Sequence, residues 1–389
     1  MDIKQEIAQH RDTLIALRRD FHQHPELALE EVRTAGIIAE RLRASGLEVR
    51  TNIGQTGVVG VLHGSAPGKT LAIRADIDAL PLQEENDLPF KSQVPGKMHA
   101  CGHDGHAAIA LTIADILAAH RDELHGNVTF LFQPAEECQG GAERMIADGA
   151  LKNPDVDAVI GLHLGSGWPV GQVAVGSGAL AASSDQFTIR VRGRGGHGAM
   201  PHFCADPILA ASQIVVALQS LISREISPFN PAVVTIGSFH GGTAANIIPD
   251  EVTLQGTFRT FSEEDRQHLA ARINEVAQQI AAGLRATAAF ELLDGCPPCV
   301  SDEGMAALIR HAAAGAVGAE NVIPAHKITA SDDMAFFLNA VPGCYFSIGA
   351  GDAAKGYNAP HHSPRFKIDE DCLPVGVEVM LRAALEYLR

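Results

Sequence analysis

Histidine, cysteine and carboxylate side chains gather at four places in this chain. Met98-His99-Ala100-Cys101-Gly102-His103-Asp104-Gly105-His106 forms a loop just ahead of a helical stretch, and Cys and His are the ligands that suit zinc and similar divalent metals. Gln133-Pro134-Ala135-Glu136-Glu137 leaves a buried strand, and adjacent carboxylates are costly to hold close without a cation or proton between them. His163 stands at the end of the apolar run Ala158–Leu164, and His361-His362-Ser363-Pro364 lies in the C-terminal part. Taken singly, each has a plainer reading as a polar loop, a solvated acidic turn or a satisfied core histidine. Together they point to one place, because ligands of an α/β sheet collect beyond the C-terminal ends of its strands. Five ligands of mixed S, N and O type suffice for two metals sharing one bridge. A spare carboxylate beside such a pair is equipment for hydrolysis: the metals acidify water and polarise a carbonyl, and the carboxylate moves the proton.

These residues need elements to hold them. Ile3, Ile7, Leu14, Leu17 and Phe21 recur at helical spacing up to Pro25, and a second helix is predicted from about Glu30 to Gly46, with the glycine as C-cap. Strand-like runs follow at Val58–Leu62 and Leu71–Ala75, then a helix over His106–Leu124, a strand at Val128–Phe132, a helix over Gly141–Leu151 and the strand Ala158–Leu164. This alternation argues for an α/β sheet that is at least partly parallel. The pattern changes near residue 180. A strand at Phe187–Val191 precedes a helix opened by Asp206-Pro207 and reaching about Ser223, then strands at Val233–Phe239 and Val252–Phe258. Ser262-Glu263-Glu264-Asp265 starts a helix to about Gly283 in the manner of a capping box, and Ala286–Leu293 is a last strand. The order β-α-β-β-α-β is the split plan of a ferredoxin-like domain. After Pro297-Pro298, helix Met305–Ala316, strand Cys344–Ile348 and helix Leu373–Leu388 resume. The expected organisation is a domain inserted at 181–294 between two parts, 1–180 and 295–389, of a larger α/β domain.

Composition narrows the classes of function. With 389 residues, 46% hydrophobic and 20% charged, the chain has the make-up of a folded globular protein, not of a disordered one. Thirty Lys and Arg against 46 Asp and Glu leave a net charge of −16, which argues against nucleic acid as a partner. Met1-Asp2-Ile3-Lys4-Gln5-Glu6 has no basic-then-apolar leader. The most apolar stretch, Ile208–Ile222, is interrupted by Ser212, Gln213, Gln219 and Ser220 and reads as too short and polar for a bilayer, so no membrane partner is expected. The seven cysteines are odd in number and scattered, so a reducing, cytoplasmic setting is the expectation.

In chain order, Phe21-His22-Gln23-His24-Pro25-Glu26, Arg74-Ala75-Asp76-Ile77-Asp78-Ala79-Leu80-Pro81, Met98–His106, Phe132–Glu137, Gly161-Leu162-His163, Gly195–His202, Asn246-Ile247-Ile248-Pro249 and His362-Ser363-Pro364 resemble the amidohydrolases that include hippurate hydrolases, N-acyl-amino-acid deacylases and indole-acetyl-amino-acid hydrolases, within the aminoacylase/carboxypeptidase metallopeptidase clan. The resemblance spans nearly the whole chain. It implies a mixed-sheet, metallopeptidase-like catalytic domain with two divalent metal ions (Zn, Mn, Co or Ni) and an inserted ferredoxin-like lid domain that also forms a homodimer. It further implies Cys101, His103, Glu137, His163 and His362 as metal ligands. Cys101 would bridge, with His103 and His163 on one ion and Glu137 and His362 on the other. Glu136 would be general base and acid for a metal-bound hydroxide, Asp76 a carboxylate orienting a ligand, and His197 the stabiliser of the oxyanion, with His202 a weaker candidate for that place. The substrate class that the resemblance implies is an N-acyl amino acid. Its free carboxylate calls for a local cation, and Arg259, at the end of the strand Val252–Phe258, with Asn246 upstream, can supply paired hydrogen bonds. Where the family has Ser-Glu-Asp-Phe, this chain has Ser331-Asp332-Asp333-Met334, which bears on the wall of the substrate pocket.

Three rival readings exist. Gly193-Arg194-Gly195-Gly196-His197-Gly198 fits G-x-G-x-x-G, but Pro201 follows with no immediate helix, and no acid closes a second strand at dinucleotide-fold distance. Cys296-Pro297-Pro298-Cys299 has redox spacing but reads as a domain linker. A non-catalytic metal carrier would use the ligands but leave Glu136 without a purpose.

Overall fold

The computed structural model describes residues 1–137, 140–293 and 295–389. Two compact units emerge: 1–178, 300–326 and 332–389 form the first, and 179–299 with 327–331 the second. The expected insertion boundary at Asp294 falls outside the described residues, as does Cys138.

The first unit contains α1 (Ile3–Gln23), α2 (Val32–Ala44), β1 (Glu48–Ile53), β2 (Gly57–His63), β3 (Ala66–Asp76), α3 (His103–Ala119), β4 (His125–Gln133), α4 (Gly141–Ala147), β5 (Ala158–Pro169) and β6 (Val173–Val175). β7 (Gly178–Ala181) carries the chain into the second unit. There β8 (Asp185–Arg192), β9 (Gly196–His197), α5 (Pro207–Arg224), β10 (Ala232–Gly241), β11 (Ile247–Ile248), β12 (Glu251–Thr260), α6 (Glu263–Gly283) and β13 (Thr287–Leu292) follow, and β14 (Cys299–Ser301) leads out. α7 (Glu303–Val317), β15 (Val322–Pro324), α8 (Met334–Ala340), β16 (Gly343–Gly351) and α9 (Cys372–Tyr387) complete the first unit.

Its sheet has eight strands in the order β1-β2-β4-β3-β5-β16-β6-β15. β4, β3, β5 and β16 are mutually parallel, β1 pairs antiparallel with β2 and β2 with β4, and β6 pairs antiparallel with β16 but parallel with β15. The fold is therefore a mixed sheet within an α/β layer plan. β2 and most of β3, β4 and β5 are continuously buried, the pattern of strands covered on both faces. α3 is apolar nearly all round and buried along its length, as suits a helix enclosed by neighbours. α3 is shifted toward the N-terminus of its sequence-based bounds, ending at Ala119 and not Leu124, and β5 outruns its own. The helix begins three residues earlier, at His103, and the strand runs on to Pro169, so His163 is a mid-strand residue.

The second unit's sheet has the order β10-β12-β8-β13, all antiparallel. With α5 after β8 and α6 after β12, this is the ferredoxin-like plan. α5 starts on the Asp206 carboxylate, which accepts from the N–H groups of Ile208 and Leu209. α6 starts on the Ser262 hydroxyl, which accepts from Asp265 N–H. By length and composition α5 is apolar enough to cross a membrane, contrary to the reading of its interrupting polar residues. In the fold its Ala210, Ala211, Ile214, Leu218 and Leu221 lie in the second unit's core with Phe187, Ile189, Leu254 and Phe258.

Gly141 starts α4 against the loop that follows β4. A Cβ there would overlap the carbonyl oxygen of Pro134. Gly141→Ala should cost about 1–3 kcal/mol, the usual range for overpacking, read as a lowered midpoint in urea unfolding. An unchanged midpoint would show that this loop yields freely.

Candidate active site

The sheet brings the chemistry to one edge. β3 and β4 run parallel with Asp76 opposite Gln133, so the segments that leave them, 77–79 and 134–137, emerge side by side. On the other flank of β3, Arg74 pairs with Gly161 of β5, which puts His163 level with Asp76. Cys101 and His103 reach the same edge at the start of α3, after Gly102, whose φ of +100° is a conformation that favours glycine. His362 arrives from the loop before α9, its N–H donating to the Ala100 carbonyl at 2.9 Å.

The five side chains expected as ligands converge. Cys101 Sγ lies 3.5 Å from His163 Nε2, and His362 Nε2 lies 3.2 Å from Glu137 Oε2. Ligand atoms of Cys101, His103 and His163 fall within 4.8 Å of one another, as do those of Cys101, Glu137 and His362. The two groups share Cys101. His103 Nε2 and Glu137 Oε1 are buried without a hydrogen-bond partner. A buried polar atom left so costs about 1–3 kcal/mol, and a cation among these donors would relieve both. The soft thiolate, imidazole and carboxylate set suits zinc and its transition-metal neighbours.

Hydrogen bonds fix the donors' orientation. His103 Nδ1 is 2.9 Å from the Asp78 carbonyl oxygen and 3.2 Å from Asp78 Oδ1, so its N–H points there and Nε2 is left for a cation. Asp78 Oδ2 also accepts the N–H of Glu137 at 3.0 Å. His163 Nδ1 donates to the Leu164 carbonyl at 3.1 Å. Burial, aided by His106 and His361, holds His163 well below the usual histidine range, leaving the neutral form that binds metals. Burial would raise Glu137, but His362 and His103 hold it below the ordinary carboxylate value. Burial pushes the Cys101 thiol well up, the opposite of what a thiolate ligand needs unless a cation stands next to it.

Glu136 is buried, its Oε2 3.9 Å from His103 Nε2. Burial, with Asp332 and Asp333 beside it, pushes its carboxyl well above the usual range. An upward shift is the direction that suits a carboxyl serving as a proton carrier.

Asp76 sits differently from the expectation. Its Oδ2 is 3.8 Å from His103 Nε2, beyond hydrogen-bond reach. Its carboxylate instead accepts from Arg74 Nη1 and meets His106 Nδ1, each at 2.6 Å. The carboxylate on His103 is Asp78, two residues on. Sequence reasoning also passed over His106, which accepts the N–H of Leu164 at Nε2, 3.0 Å away, and His361, whose Nε2 donates to the Leu164 carbonyl at 2.8 Å. The signal for His106 was its place three residues after His103 on one helix, a same-face spacing. Met334 is fully buried against the Gly161 position, so it is core and not pocket wall.

The remaining candidates belong to the second unit. His197 is exposed on β9, its Nδ1 accepting from Ala199 N–H at 3.1 Å. Its strand partner is Ile247, and the Asn246 carbonyl accepts from Gly198 N–H, so His197 and Asn246 are neighbours. His202 is exposed, with its ring 4.1 Å from that of Phe203. Arg259 lies at the far end of β12, eight residues past Glu251, about 26 Å at ~3.3 Å per residue. It therefore belongs with a different group from Asn246. Arg259 reaches Ser183 O and Ser331 Oγ at 3.5 and 3.4 Å and forms no ion pair among the described residues. The glycine-rich segment 193–198 leads into the β9–β11 ladder, and the next α-helix begins only at Pro207.

Residues 72–386 match the sequence pattern of peptidase family M20/M25/M40. The chain is 39% identical over 381 residues to IAA-amino acid hydrolase ILR1-like 4 of Arabidopsis thaliana, covering 97% of this chain and 86% of that one. It is 41% identical over 360 residues to the N-acetyl-L-cysteine deacetylase of Bacillus subtilis, covering 92% and 84%. Among solved structures it is similar to the YxeP protein of Bacillus subtilis, described as a dinuclear metal binding peptidase from the M20 family, with a TM-score of 0.84, 36% identity and coverage of 98% and 99%. The chain belongs to peptidase family M20/M25/M40, and it is a metal-dependent hydrolase of the amidohydrolase kind that its motifs resemble.

Proposed function

We propose that the protein hydrolyses the amide bond of N-acyl amino acids, releasing a carboxylic acid and a free amino acid. The observation that carries this reading is a buried carboxylate, Glu136, beside two donor groups joined at Cys101. The donors fit two divalent cations: His103 and His163 would hold one, Glu137 and His362 would hold the other, and Cys101 belongs to both donor groups. When bound, such ions supply Lewis acidity and lower the pKa of water. Glu136 takes a proton from the attacking water. The water oxygen adds to the acyl carbon, the C–N bond breaks, and Glu136 delivers its proton to the leaving nitrogen. We assign His197, a residue of the lid, to hydrogen-bond the oxygen that becomes negative at the acyl carbon. Asn246, next to His197, and the exposed His202 join it as substrate contacts; because this group and Arg259 lie at opposite ends of β12, the two meet one substrate only when they come from different subunits of the dimer. Arg259 takes the substrate carboxylate, a role supported by its freedom from carboxylate partners among the described residues. The named activities of the plant hydrolase and the bacterial deacetylase support the substrate class. A homodimer through the lid is supported by exposed Leu209 and Val216 on α5 and Val233 and Phe239 on the edge strand β10. A cytoplasmic setting completes the proposal.

The direct test is mass spectrometry of products from a mixed N-acyl-amino-acid library, with Mn, Zn, Co and Ni each supplied. Absence of amide cleavage under all four would overturn the proposal.

Removing metal with a chelator should abolish activity. Cys101→Ala should lose metal by elemental analysis, whereas Glu136→Gln should keep its metal and lose about 10²–10⁴ in kcat. Loss of metal from the Glu136 variant would refute the division between ligand and proton carrier.

Arg259→Lys should raise KM for N-acyl amino acids by about tenfold or more, since lysine lacks the paired donors. The corresponding uncharged amides should be affected far less. Equal losses on both would remove Arg259 from carboxylate binding. Light scattering at micromolar concentration should report a dimer, and a monomer there would count against the lid interface.

A further inference from the structure

Glu31 is a fully buried carboxylate that the proposed chemistry does not use. It occupies the N-cap position of α2, yet its side chain makes no capping hydrogen bond. Capping passes to Glu26, whose two oxygens accept the N–H groups of Arg33 and Thr34 at 2.9 and 2.8 Å. The Glu31 carboxylate turns the other way. Its Oε1 accepts the N–H of Ala135 at 3.0 Å, and its Oε2 accepts the Thr56 hydroxyl at 2.5 Å.

Ala135 has a φ of +53°, a left-handed conformation that a residue with a Cβ adopts only where its surroundings impose it. Two residues on, Glu137 N–H is taken by Asp78. The backbone N–H groups of the residues on either side of Glu136, Ala135 and Glu137, are thus gripped by two buried carboxylates, Glu31 and Asp78. We infer that Glu31 is a positioning residue for Glu136: by holding the Ala135 N–H in its left-handed turn, it sets where the Glu136 carboxylate stands relative to the donors around Cys101. This inference rests on the proposed role of Glu136. Both Glu26 and Glu31 lie before residue 72, where the family match begins.

A residue that acts by aiming another has a signature distinct from that of a general scaffold residue. Glu31→Ala should lower kcat about 10–100-fold, the scale of a small misplacement of a catalytic group, with KM changed by less than about twofold and metal content intact. Glu31→Gln keeps an amide oxygen for the Ala135 N–H and should recover most of the lost kcat. In a Glu136→Gln background, Glu31→Ala should cost nothing more, because the group it aims has lost its function. Losses that multiply in the double variant, or an unaltered kcat in Glu31→Ala, would overturn the inference while leaving the proposed function standing. A fully active Glu136→Gln would instead overturn the proposed function and the inference with it. Should Glu31→Ala fail to fold, Thr56→Val supplies the same comparison, with a smaller kcat loss that vanishes in the Glu136→Gln background.

Discussion

Arg74 is a guanidinium with almost no exposure at the heart of a sheet, and the carboxylates of the site are arranged around it. It donates to Gln133 Oε1 at 2.7 Å and Asp76 Oδ2 at 2.6 Å, and lies 3.1 and 3.2 Å from oxygens of Asp333 and Asp332. Glu136 stands within 4.8 Å of those last two carboxylates. Like charges about 4 Å apart repel by roughly 4 kcal/mol in a partly shielded interior, so one cation cannot neutralise the group. The residual repulsion pushes carboxyl pKa values upward. Burial, opposed by Arg74 and reinforced by Asp332, pushes Asp333 up to about 7, and Glu136 is driven up as well. Tyr345 relieves Asp332 with a hydroxyl donated at 2.5 Å, and Gln133 does the same for Asp333 through its Nε2 at 2.6 Å. The excess of negative charge at the edge of the sheet makes the donors around Cys101 receptive to cations.

Much of this was legible in the sequence. The two sheets and the ferredoxin-like order follow from apolar periodicity, and the five converging donors from the resemblance of their motifs to a known family. What escaped depended on three-dimensional offsets of a few ångströms. Asp76 and Asp78 share a strand-end parity, so both could face the site, and only the register of β3 against β5 and the entry of α3 decide which carboxylate reaches His103. Arg259 and Asn246 looked like partners because they are near in sequence, but a ten-residue strand puts them with different groups. β1, β6 and β15 were missed as well. β6 and β15 are only three residues long, and β1, Glu48–Ile53, is too polar and exposed to announce itself.

The donor groups differ in how far apart along the chain their members lie. Cys101, His103 and His163 all precede the second unit, whereas the group of Cys101, Glu137 and His362 waits for a residue near the C-terminus. On the ribosome, therefore, the first three donors exist well before the ferredoxin-like unit has been made, and the other set stays one short until the last strand and its following loop have emerged. β16, which lies between β5 and β6 in the sheet, arrives in that same late segment. A nascent chain carries one donor group early and completes the other only near its end, so a product truncated between His163 and His362 would have the donors of the first group and lack His362 of the second.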